Sequence, residues 1–148
     1  MAPITTTILA SLALLSSVAA LPGGSSHAPK FPSASISLYD QLFCAGDSLI
    51  AGTPFDLKAG ACQNSPSNTT YISANICLSD AVPWGYECKV ILYSDADCAG
   101  AGTATAPLVQ GQEACYLRLT ASALNQGSVG GQSVGLVCPQ LAEGSTVA

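Results

Sequence analysis

The chain has 148 residues, nine of them acidic and four basic, for a net charge of −5 with one neutral histidine. Lys30, Lys58, Lys89 and Arg118 are scattered and make no basic stripe, which argues against nucleic acid and against an anionic membrane surface as partners. The seven cysteines include no C-x-x-C pair, so zinc and thiol-redox chemistry lack their close ligand pair, and no cofactor or metal is expected.

Ile4 to Val18 is an uncharged apolar run, and Val18-Ala19-Ala20 places small residues where signal peptidase needs them. The run is about fifteen residues, short of the roughly twenty that span a bilayer. Residues 1–20 are therefore expected to be a secretory signal cut after Ala20. Residues 21–35, LPGGSSHAPKFPSAS, are rich in Pro, Gly and Ser and predict a disordered tail or pro-segment. The single histidine, His27, lies there, where nothing holds an imidazole in place as a base. Residues 36–138 are long enough for one domain with its own core. Residues 139–148 predict a flexible C-terminal tail without the apolar end of a lipid-anchor signal.

Within the domain the apolar residues repeat every second position. Ile36 and Leu38 alternate with Ser35 and Ser37, and Phe55 and Leu57 with Asp56 and Lys58. Val90 and Leu92 hold matching places later, and Cys115, Leu117 and Leu119 alternate with Tyr116, Arg118 and Thr120. Gly and Pro punctuate every few residues, from Gly46 and Pro54 to Pro107 and Gly111. Short period-2 strands between such turns predict an all-β sandwich or barrel.

The chain also repeats itself. Leu38-Tyr39 through Cys44-Ala45-Gly46 returns as Leu92-Tyr93 through Cys98-Ala99-Gly100. Ala61-Cys62 answers Ala114-Cys115, and Cys77 answers Cys138. Two repeats, 36–77 and 90–138, follow. An aromatic, six residues, a glycine and a later serine resemble the Greek-key motif of the βγ-crystallin family, carried by Tyr39 to Gly46 and Tyr93 to Gly100 with Ser73 and Ser133. The resemblance implies a two-repeat Greek-key sandwich, with the glycine taking a positive φ in a folded hairpin. The family's calcium pattern, acid or amide side chains four and five residues before the serine and a Ser or Thr next to it, is not met: Asn68 fits but Thr69 and Ile72 do not, and the second copy offers Ser128 and Val129. More broadly the chain resembles the small cysteine-rich proteins secreted by filamentous fungi.

Behind a signal peptide the cysteines are expected to form disulfides. Cys44, Cys62, Cys77, Cys98, Cys115 and Cys138 have counterparts between the repeats and are the expected bridging residues, in pairs the spacing does not specify. Cys88 has none, because Ala34 stands opposite it, and is expected to be the free thiol.

No catalytic constellation emerges. Asp95 and Asp97 share a loop, but nothing predicts an acid facing them across a cleft. Asp95-Ala96-Asp97 is also half a calcium loop, with Ala99 where another oxygen is needed. Gly127-Ser128-Val129-Gly130-Gly131 lacks the Gly-Lys that a phosphate loop requires. Trp84, the sole tryptophan, and Tyr86 form a candidate contact surface between the repeats. Asn68-Thr69-Thr70 is an N-glycosylation acceptor. The expected function is that of a secreted, non-enzymatic interaction protein of effector, toxin or inhibitor type. It is expected to be a monomer acting on an extracellular protein or glycan. A carboxylate hydrolase and a structural cell-wall or coat component are the alternatives.

Overall fold

In the computed structural model, residues 28–118 and 130–142 are described. The expected signal and its cleavage point, His27 and the Gly127–Val129 stretch lie outside them. The described chain is all-β: eight strands make two four-stranded antiparallel sheets, and the only helical pieces are three-residue 3₁₀ turns. The strands are β1 (Ser33–Tyr39), β2 (Phe55–Lys58), β3 (Cys62–Asn64), β4 (Ser73–Leu78), β5 (Lys89–Tyr93), β6 (Gly102–Ala104), β7 (Glu113–Leu117) and β8 (Ser133–Val137).

One sheet has the order β2-β1-β4-β7 and the other β3-β8-β5-β6. Each therefore holds three strands from one half of the chain and an edge strand from the other. Alternation explains the core: Ala34, Ile36 and Leu38 from β1 face Ala74, Ile76 and Leu78 from β4, with Val90, Leu92, Val134 and Leu136 from the second sheet. Every second residue of a strand points to the same side, so the intervening serines and asparagine stay at the surface. The β7 alternation appears with its faces exchanged. Tyr116 packs against the core and Arg118 is buried, while Cys115 is exposed, where it can reach a bridge partner outside the sheet.

Two 3₁₀ turns, Leu42–Cys44 and Ala96–Cys98, follow β1 and β5 and are built alike. Phe43 and Cys44 have φ of 64° and 51°, and Asp97 and Cys98 have 58° and 55°. Ser73 Oγ donates to the Gln41 carbonyl at 2.6 Å and accepts from the Cys44 amide at 3.0 Å. Ser133 Oγ does the same to Asp95 and Cys98, at 2.6 and 2.9 Å. One hydroxyl thus satisfies an acceptor and a donor that the tight turn would otherwise leave unpaired. Of the two glycines expected at positive φ, Gly100 adopts 72° and Gly46 does not; the left-handed positions fall mainly on the two residues before Ala45 and Ala99.

The boundaries shift at both ends. The arm is drawn in from Pro32, which is buried, and β1 takes in Ser33–Ser35. At the other end, Leu141 donates to the Gly85 carbonyl at 2.8 Å and Glu87 to Pro139 at 3.1 Å, so the first tail residues pair with the linker between β4 and β5.

The free thiol is Cys77, and Cys88 is bridged to Cys138. The other bridges are Cys44–Cys115 and Cys62–Cys98. Both expectations, Cys88 free and Cys77 paired, are corrected by a one-residue slip. Ser73 and Ser133 hold matching places, and five residues on Leu78, not Cys77, matches Cys138. Leu78 stands opposite Ala34 in the β1–β4 ladder, both buried, where the second half has its cystine. A slip of one turns a strand residue to the other face. Cys77 accordingly points away from the core, opposite Ser35 and Glu113.

Candidate functional site: an aromatic-edged groove

The linker between the sheets carries Pro83-Trp84-Gly85-Tyr86. Pro83 starts the turn, and the Tyr86 amide closes it on the Pro83 carbonyl at 3.1 Å. Gly85, at φ 82°, supplies the left-handed position that a side chain would strain. The turn is braced by the ladder to residues 139–141, by the Cys88–Cys138 bridge and by a Lys89–Glu87 ion pair. Trp84 stands at its tip, 99 % exposed.

Tyr86 is half-buried and meets Phe31 edge to face, with ring centroids 4.9 Å apart. Phe31 opens onto a groove of about 510 Å³ shared with Ala59, Gly60, Val137, Cys138 and Pro139. A second recess of about 410 Å³ adjoins it across Phe31 and Ala59 and carries Lys30, Lys58 and Asp80. Its chemistry is an apolar floor with a mainly cationic rim. Such a surface takes an apolar group with a negative flank.

Trp84 and Tyr86, singled out in the sequence, thus lie on one braced turn with unequal roles. Trp84 is presented to solvent, while Tyr86 holds Phe31. The sequence reading missed Phe31, which it placed in a disordered tail. The signal was present, since Phe31-Pro32 is the one apolar pair just before the alternation begins.

The carboxylates do other work. Asp97 Oδ1 accepts from Asn64 Nδ2 at 2.9 Å, and the Asp97 backbone amide donates to Asn64 Oδ1 at 2.7 Å, pinning the turn to β3. Glu113 accepts from Asn75 and Asp80 from Ser79. Among the described residues no three His, Cys, Asp or Glu side chains gather as a metal site, and no helix is long and apolar enough to cross a membrane. Asn68 ends the 3₁₀ turn Pro66–Asn68 at φ 54° and is exposed together with Thr69 and Thr70.

Comparison with protein-family models, with curated proteins and with solved structures finds no match to this chain.

Proposed function

We propose that this chain is a secreted, non-enzymatic interaction protein that binds an extracellular protein or glycan through the Trp84 turn and the groove beside it. The single observation that carries the reading is a tryptophan held fully in solvent by a turn with a disulfide at its base. Aromatic rings are the commonest anchors of binding surfaces, and a braced turn loses little entropy on binding. Three disulfides in an all-β domain accord with an oxidising, extracellular setting. We further propose that the scaffold is a pair of Greek keys of the βγ-crystallin type. The exchange of β3 and β7 between the sheets and the matching bonds of Ser73 and Ser133 support it.

Trp84 is the chain's only tryptophan, so it reports on its own contact. In the free protein its fluorescence is expected to be red-shifted and strongly quenched by iodide. Candidate partners are screened on a glycan array and by crosslinking in extracellular extracts, and a bound partner should shift the emission blue and protect it. Trp84→Ala should weaken that binding at least about tenfold and change stability by less than about 0.5 kcal/mol. Undiminished binding by the variant would refute this site.

A sugar is proposed at Asn68. Protein secreted from a eukaryotic host should lose mass on treatment with an N-glycan-releasing enzyme, and Asn68→Gln should abolish that loss. The exposed turn gives the transferase access without unfolding any strand. An unchanged mass in the secreted wild type would count against it.

A further inference from the structure

The turn after β1 carries a second exposed apolar feature. Phe43 is 76 % exposed, and Leu42 and Leu49 are exposed beside it. Phe43 also occupies a left-handed backbone position, with φ 64° and ψ 24°. A bulky residue there is a true outlier, since its Cβ crowds the backbone. The matching position after β5 is filled by Asp97, a residue type that tolerates the conformation and bonds to Asn64. Phe43 therefore carries a cost in backbone conformation and, with most of its surface in water, a cost in hydration. The knob is also rigid. Cys44 is bridged to Cys115, and Ser73 ties the carbonyl of Gln41 and the amide of Cys44.

We propose that the Leu42–Phe43 knob of one copy of this chain docks, head to tail, into the apolar groove of a second copy. Chemistry selects the pair. The knob is flanked by exposed Asp40 and Asp47. The groove is floored by Phe31, Val137 and Pro139 and adjoins exposed Lys30 and Lys58, two of the chain's four cations. Asp80 is the one acid lining that recess, and its carboxylate accepts from Ser79 Oγ at 3.1 Å. A phenylalanine ring fits easily in about 510 Å³.

Knob and groove lie at opposite ends of β1, about 20 Å apart for a seven-residue strand. One molecule cannot satisfy itself, because its knob lies a strand's length from its own groove. In the head-to-tail arrangement proposed, the contact is heterologous and builds a short chain or a ring. It is also small, so the protein is a monomer when dilute and associates as its concentration rises. The inference uses the groove but not the identity of any outside partner. Its test reads oligomeric state alone, so it can fail while the Trp84 reading stands.

Sedimentation equilibrium of the full secreted protein, from about 10 µM to about 1 mM, decides it; contacts of this size are weak enough to titrate in that range. The expected result is a weight-average mass that climbs above the monomer, and climbs less in high salt. Phe43→Asp installs the residue type used after β5, so it should fold normally and stay monomeric throughout. Pro139→Glu keeps the knob but places an acid in the groove, and should also be monomeric. An equimolar mixture of the two has one intact knob and one intact groove, and should form a dimer that grows no further. A constant monomer mass for the wild type would overturn the proposal. So would association unchanged by Phe43→Asp. Binding of the wild type, but not of Phe43→Asp, to phosphatidylcholine vesicles without self-association would assign the knob to a lipid surface instead, and overturn it too.

Discussion

Replacing Cys44 and Cys115 together by serine is expected to lower the free energy of unfolding by about 4 kcal/mol, read as a fall in denaturant midpoint at constant slope. The bridge spans a sequence separation of 71, the longest of the three. By the chain-entropy estimate, so long a cross-link removes more freedom from the unfolded chain than the others do. It also acts locally. Cys115 lies on β7, an edge strand joined to its sheet only through β4. Cys44 closes the turn that Ser73 organises. A loss of that size is a large part of a small domain's whole stability, so the double variant should be partly unfolded at body temperature. Cys77→Ser is the control. Its thiol faces away from the core and is unbridged, so the change should stay within about 0.5 kcal/mol. Alkylation of the native protein should label Cys77 alone. Label on Cys88 would mean that the pairing described above is wrong.

These contrasting cysteines show where the sequence was legible. Alternation of Ile36 and Leu38 with serines identified β1 correctly, because a half-buried strand has no other solution for those side chains. Ser73 and Ser133 could be singled out because their bonds act within a motif that repeats. What depended on register could not be read. Cys77 and Cys138 look equivalent in the linear chain, but strand register sets them one residue apart, and one residue exchanges the faces. The exchange of β3 and β7 is equally hidden, since edge pairing is decided by contacts far apart in sequence. Phe31 was lost for a related reason. A Pro- and Ser-rich arm lacks a core of its own and gains order only by lying against Tyr86 and the end of β8. The groove is lined by three distant segments, at Phe31, at Ala59 and Gly60, and at residues 137–139, and the sequence pointed only to Trp84 and Tyr86 beside it.

Arg118→Leu should cost about 3 kcal/mol, although no reading of the sequence distinguished this residue from an ordinary surface cation. Arg118 follows β7 and is only 2 % exposed. Its Nη1 donates to the Gly130 carbonyl and its Nη2 to the Ala101 carbonyl, each at 3.0 Å, so one guanidinium holds two separate loops. Leucine keeps much of the volume but leaves two carbonyls without these donors. Relief from burying a charge offsets part of that loss. Arg118→Lys should recover little, because a single ammonium cannot reproduce the planar fork. Tyr71 lies beside it, its hydroxyl donating to the Ser133 carbonyl at 2.8 Å. Burial pushes the Tyr71 phenol far above its ordinary value of 10.0, with the Arg118 charge opposing the shift. The sign follows. Below pH 10 both folded and unfolded chains hold that proton, and stability is unaffected. Above it the unfolded chain releases the proton while the folded one retains it, so stability falls as pH rises. Arg118→Leu removes the opposing charge, so the folded phenol should titrate higher still. Tyr71→Phe should flatten the alkaline slope in both backgrounds. Denaturant midpoints from pH 8 to 11, with ultraviolet titration of the phenols, test both parts. An alkaline slope unchanged in Tyr71→Phe would assign the loss of stability to another group.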